Sequence, residues 1–237
     1  MAINKILKEI EKHKDLSKGN FLGRFFKTGP GQYGEGDVFW GLSVPTSRKI
    51  ALRYQDLSLN DIKKLLEHKV HEVRLIGIII LVCCYKKFDK AGDDIGMKEV
   101  VRFYLNNAKR VNNWDLVDTS ASNILGSYLY NKKDKSILLK LAKSKNLWEQ
   151  RIAIIATFYF IKKGEPYWTF KIGELYMNHK HDLIHKATGW MLREVGKNVG
   201  EKSLRVFLDK HKHHMPRTML RYAIEKFSEP IRRKYLL

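Results

Sequence analysis

Cysteine, proline, long apolar runs and acidic residues are all in short supply in this chain. Its two cysteines, Cys83 and Cys84, are adjacent inside an apolar run, where neighbours cannot form an ordinary disulfide staple, and no zinc-ligand spacing exists. They read as core thiols. No apolar run reaches the roughly 18 residues needed to span a bilayer. The opening segment, Met1 to Leu16, is a polar helical pattern with no cleavage site. The expectation is a soluble, cytoplasmic protein. Positive charge is spread along the whole chain instead of gathering in one basic amphipathic helix, which argues against a membrane surface as partner. Period-two alternation is almost missing, so a sheet-based fold is excluded.

Acidic residues are outnumbered: 25 Asp and Glu stand against 45 Lys and Arg, a formal net charge of +20. That excess goes far beyond what solubility requires and points to a polyanionic partner. A chain of 237 residues can bury one sizeable core, so a single domain over residues 1–237 is expected, with monomer as the default state.

Apolar residues recur at three- and four-residue spacing almost throughout, which predicts an all-α fold. The exception is residues 28–45, where Gly29, Pro30, Gly31, Gly34, Gly36 and Pro45 crowd together and no helix could continue. Its aromatics, Tyr33, Phe39 and Trp40, predict an ordered loop. Gly31-Gln32-Tyr33-Gly34-Glu35-Gly36 lies in no βαβ pattern and is not a dinucleotide fingerprint.

A weak repeat aligns Val73-Arg74-Leu75-Ile76-Gly77-Ile78 with Gln150-Arg151-Ile152-Ala153-Ile154-Ile155 and His185-Lys186-Ala187-Thr188-Gly189-Trp190. Val117-Asp118-Thr119-Ser120 falls in the same register. Offsets in the thirties and forties predict an α-α superhelix, a solenoid of HEAT-like or armadillo-type helix pairs with a concave basic groove. Arg74, Arg151 and Lys186 would then form a basic track for phosphates, helped by their helix N-termini.

Asp118 breaks the track. A carboxylate there repels the phosphates its neighbours attract. One explanation is chemical: cleavage of a glycosidic bond develops positive charge on the sugar, which a fixed carboxylate stabilises. The other is structural, with Asp115 capping a helix and Asp118 in its first turn. Trp114, one turn earlier, and Trp190, in a later repeat, either offer indole faces to a cationic base or simply pack. Trp148 and Trp168 read as packing residues. Arg151 either clamps a phosphate or is solvated or paired. His179-Lys180-His181 and His211-Lys212-His213-His214 lack convincing ligand spacing and read as basic surface, so no metal is expected.

The segments Trp114-Asp115-Leu116-Val117-Asp118, Trp148-Glu149-Gln150-Arg151 and Gly189-Trp190-Met191-Leu192-Arg193-Glu194 together resemble the AlkD family of bacterial DNA glycosylases. Arg24-Phe25-Phe26-Lys27, Val44-Pro45-Thr46-Ser47-Arg48 and Met219-Leu220-Arg221-Tyr222 extend the resemblance over nearly the whole chain. It implies a HEAT-like solenoid that removes N3- and N7-alkylated purines from duplex DNA without metal or organic cofactor, leaving an abasic site. It further implies Asp118 as the catalytic carboxylate, Trp114 and Trp190 flanking the lesion-bearing sugar, and Arg151 on the backbone. Phe25 occupies the place where a tyrosine may stand, and Lys27, Arg48, Arg74, Lys186 and Arg193 complete the expected DNA contacts. The competing expectation is a non-catalytic HEAT-repeat module that binds nucleic acid or another protein.

Overall fold

The computed structural model describes residues 2–237. The chain is all-α: among the described residues no sheet forms, and strand-like pairing is limited to an isolated parallel bridge between Val38 and Val70. Two compact units divide it, Met1–Ser120 and Ala121–Leu237.

The first unit holds α1 (Ala2–Glu11), α2 (Leu16–Phe25), α3 (Val44–Arg53), α4 (Leu59–Leu66), α5 (His71–Ala91), α6 (Asp94–Asn106) and α7 (Trp114–Ser120). Helix α5 is its axis, with α3, α4, α6 and α7 packed on it. Every residue of α5 from His71 to Val82 is buried, as its nearly continuous apolar sequence requires of a helix surrounded on all sides. Gly77 lets α4 come close, since a Cβ there would lie 3.0 Å from the Cβ of Leu65. Cys83 and Cys84 sit further along α5, half-buried and free, instead of fully inside the core as expected. Their burial still pushes both thiols above the ordinary range, which disfavours the thiolate.

The second unit begins with a π-helical turn, Ser122–Gly126, and continues through α8 (Ser127–Tyr130), α9 (Ser136–Ala142), α10 (Leu147–Ala156), α11 (Phe158–Lys162) and α12 (Tyr167–Leu175). Helices α13 (Asp182–Asn198), α14 (Glu201–His211), α15 (Arg217–Ala223) and α16 (Glu229–Leu236) complete it. Here α13 is central and packs on α10, α11, α12, α14 and α15. Helix pairs of this kind, laid side by side within each unit, are the HEAT-like repeat architecture.

Helix starts follow local chemistry. Asp15, Ser43, Ser58 and Asn146 each accept a backbone N–H from the first turn that follows, the ordinary work of an N-cap. Ser43 also ends the glycine-rich loop two residues earlier than the sequence suggested. Pro45 belongs to the first turn of α3, where its missing N–H costs nothing. The repeat register holds: Arg74, Asp118, Arg151 and Lys186 occupy the fourth or fifth position of α5, α7, α10 and α13.

The loop between α2 and α3 is ordered by one buried carboxylate. Glu72, at the start of α5, accepts the backbone N–H groups of Trp40 at 3.1 Å, Gly41 at 2.7 Å and Leu42 at 3.2 Å. Gly41 takes a positive φ of 83° and lies against Asp15 and Gly19, where a Cβ would collide with backbone. The loop is thereby tied to α2 on one side and α5 on the other.

Candidate nucleic-acid interface and active site

The first turn of α7 is set by a buried charge cluster in the first unit. Asp37, carried in by the glycine-rich loop, receives Arg74 Nη2 on Oδ1 at 2.6 Å and Asn113 Nδ2 on Oδ2 at 3.0 Å. His71 lies between two carboxylates, its Nδ1 3.3 Å from Asp37 Oδ2 and its Nε2 2.8 Å from Asp115 Oδ2. Asn113 completes the frame by accepting the Trp114 N–H at 2.8 Å. Two cations, Arg74 and His71, thus balance two anions, Asp37 and Asp115, which is the condition for burying charge without a large penalty.

The protonation states follow from this geometry. Burial alone would lower the pKa of His71, but the charge and hydrogen bond of Asp115 and the hydrogen bond of Asp37 outweigh it and raise the imidazole to about 9. His71 is therefore an imidazolium at neutral pH. Burial would likewise raise Asp37; the His71 hydrogen bond, the Arg74 charge and the Asn113 hydrogen bond overcome it and hold the carboxyl below its ordinary value.

Rings enclose the cluster. His71 stacks on Phe39 at 4.6 Å between centroids and leans on Phe26 at 4.9 Å. Phe26 in turn lies 5.1 Å from Trp114 with the planes only 9° apart. Phe25, more than half exposed, meets Trp114 edge-on at 6.2 Å. Trp114 is half-buried, and so is Asp118 one helical turn beyond it on the same face of α7. The charge of Asp118 reaches the base of the helix: burial pushes the Tyr104 phenol well above its usual value, and Asp118 adds to the rise.

These positions revise the structural explanation of the acidic pair. Helix α7 starts at Trp114, so Asp115 is already inside the helix, where its Oδ1 accepts the Leu116 N–H of the first turn at 2.9 Å and its Oδ2 holds His71. Asp118 is the fifth residue, past the first turn, where the attraction of the helix N-terminus for a carboxylate has largely faded.

Arg74 also moves. Expected on a solvent-facing phosphate track, it is only 4% exposed and spends its guanidinium on Asp37 and on the carbonyls of His68 and Lys69. Asp37 draws it inward. Lys27 and Arg48 of the same unit are exposed, Lys27 with a positive φ of 53° at the turn that leaves α2.

The second unit carries its own group. Arg151 is buried and donates to the Leu183 carbonyl at 2.7 Å, which joins α10 to the start of α13. Trp190 is half-buried, with Phe158 6.1 Å from its ring and Glu194 Oε1 accepting its indole N–H at 3.1 Å. Arg193 pairs with Glu194 at 3.3 Å and with Glu225. Lys186 pairs with Asp182 at 2.7 Å and stays partly exposed. Trp148 is buried, as expected of a packing residue.

Sequence reasoning missed the cluster of Asp37, His71, Asn113 and Asp115. Its members come from three separate segments, and no spacing rule joins them. The single available signal was a histidine that, with Glu72 and Arg74, opens a helix whose next residues are almost all apolar.

The fold is an all-α helical repeat, and the chain carries a large cationic excess of the kind that suits a polyanionic partner. The sequence pattern of the DNA alkylation repair enzymes matches residues 6–227, and the chain belongs to that family, the AlkD-like DNA alkylation repair proteins. It is similar in fold to a solved structure described as a predicted DNA alkylation repair enzyme from Enterococcus faecalis. That similarity has a TM-score of 0.72 at 15% identity and covers 92% of this chain and 98% of the other. No curated protein matches it.

Proposed function

We propose that this DNA alkylation repair protein is a DNA glycosylase that hydrolyses the N-glycosidic bond of N3- and N7-alkylated purines in duplex DNA. The observation that carries the reading is Asp118 one turn beyond Trp114, on a helix whose start is fixed by buried ion pairs. A carboxylate unexplained by capping, set beside an indole in a chain of net charge +20, suits a cationic sugar and not a phosphate.

Alkylation at N3 or N7 leaves the purine positively charged, so it is already a good leaving group. The C1′–N9 bond breaks with its electron pair passing to N9, which neutralises the base and leaves an oxocarbenium-like sugar. Asp118 stabilises that charge and orients water toward C1′. Water adds through oxygen and releases a proton, giving the abasic hemiacetal and the free base. Trp114 offers its ring to the cationic nucleotide. In the second unit, the resemblance to the family assigns Trp190 a matching role and Arg151 a backbone contact; their variants test those roles separately.

The experiment is release of 7-methylguanine from methylated duplex DNA under single-turnover conditions, with Asp118→Asn alongside. The wild type should excise, and Asp118→Asn should lose on the order of 100-fold or more in rate while keeping or gaining duplex affinity, since a negative charge has gone from a DNA-facing helix. Tight duplex binding with no excision by the wild type would instead make the chain a binding-only relative.

A further inference from the structure

We infer that His71 is a positioning residue for the proposed excision: bridging Asp37 and Asp115, it holds the first turn of α7 so that Trp114 and Asp118 keep the orientation the reaction uses. The inference rests on the reading above and extends it to a residue that touches no substrate.

His71 acts on Trp114 by three routes. One runs through Asp115, the next residue in the chain, whose Oδ2 sits 2.8 Å from His71 Nε2. A second runs through Phe26, which packs on the imidazole at 4.9 Å and stacks on the indole at 5.1 Å. The third runs through Asp37, which links the same histidine to Asn113, whose side-chain oxygen holds the Trp114 N–H. Neutral imidazole keeps only one N–H, so loss of the imidazolium leaves one of the two carboxylates unbonded and loosens the frame that holds the start of α7.

A buried pair of this kind is a weak source of net stability, because desolvation of the charges offsets most of their attraction. What it does supply is a fixed geometry. Three charged groups set its protonation. Asp37 on the loop and Asp115 on α7 favour the proton, and Arg74 on α5 opposes it; the facing rings are Phe26 and Phe39. The proton leaves with a midpoint near 9, so the device is intact at neutral pH and fails in mild alkali.

The test is the single-turnover excision rate at saturating protein between about pH 6.5 and 10, with the enzyme-free rate subtracted at each pH, for wild type, His71→Gln and Asp115→Asn. Saturation removes the effect of alkali on DNA affinity. The expected wild-type rate is flat and then falls through a single ionisation near 9. His71→Gln should be about 10-fold slower or worse with that limb gone, and Asp115→Asn should move the limb to lower pH. Should His71→Gln fail to fold, the shifted limb of Asp115→Asn decides. A limb unchanged in either variant, or a His71→Gln rate equal to the wild type, would overturn the inference.

A wild type that excises nothing would defeat the proposed reaction without touching the positioning device, which has its own readout. The indole N–H resonance of Trp114, assigned by its loss in Trp114→Phe, should move with the His71 titration in the wild type and hold still in His71→Gln. A resonance indifferent to that titration overturns the device itself.

Discussion

His71 Nε2 and Asp115 Oδ2 stand 2.8 Å apart across α5 and α7, both largely hidden from water. That contact makes the start of a seven-residue helix depend on a histidine 44 positions earlier in the chain. It also gives the protein a pH signature in stability that is separate from any activity.

The histidine is raised in the folded state, from 6.5 to about 9. A raised group favours the folded form when protonated. Its contribution is therefore complete below about pH 6.5, declines as the pH rises, and is gone above about 9. Asp37 is depressed, so its contribution is present above its ordinary value of 3.8 and is lost as acid takes the pH down through the lower folded value. Denaturant midpoints of wild type minus His71→Gln should shrink steadily from pH 6.5 to 9. A constant difference would mean that the histidine does not titrate in that window.

Arg74 and Arg48 look alike in the sequence and should behave in opposite ways. Removing Arg74 strands Asp37 inside the protein, so Arg74→Ala should cost about 3–5 kcal/mol of stability. Arg48 is exposed on α3, and Arg48→Ala should leave the unfolding midpoint unchanged. If Arg48 meets a phosphate, its loss flattens the salt dependence of duplex binding by about one counterion. Paired unfolding curves and salt titrations separate the two. Equal stability for both variants would contradict the burial of Arg74.

Much of the fold was legible because helix periodicity and capping are local. The loop showed itself through its glycines, and the repeat register alone placed Arg74, Asp118, Arg151 and Lys186 at matching helix positions. The direction each side chain takes was not legible, because it depends on what the tertiary fold brings opposite. Arg74 turns inward because Asp37 arrives from a loop 37 residues away. Asp115 read only as a helix-start residue because its second partner, His71, is far off in sequence. Trp114 and Asp118 could be paired from spacing alone, since both sit on one short helix.

Phe25 tests whether an aromatic edge suffices where a phenol hydroxyl is absent. It is 56% exposed and touches Phe26 and Trp114 through ring edges. Phe25→Ala should cost only about 0.5–1.5 kcal/mol of stability yet reduce excision several-fold, with the loss in rate and not in duplex affinity. Phe25→Tyr should stay within about two-fold of the wild type. A large gain for the tyrosine would assign the hydroxyl a role that this chain has given up.

Gly189 offers the corresponding test in the second unit. A Cβ at this position would lie 2.4 Å from the Met219 carbonyl oxygen and 2.6 Å from the Tyr222 Cβ, so α13 and α15 pack at a distance that only glycine permits. Backbone cannot step aside as a flexible side chain can. Gly189→Ala should therefore push α13 away from α15 and destabilise the protein by about 1–3 kcal/mol, despite alanine's better helix propensity. Trp190 is the next residue, and its indole is held by Glu194 on the same helix and faced by Phe158 from α11. Displacing α13 should leave the Glu194 bond in place while opening the gap to Phe158, so Trp190 fluorescence should shift to the red even in the folded variant. Thermal unfolding together with emission spectra, read against Trp190→Phe to assign the signal, measures both effects. A stable variant with unchanged emission would show that the two helices can part freely.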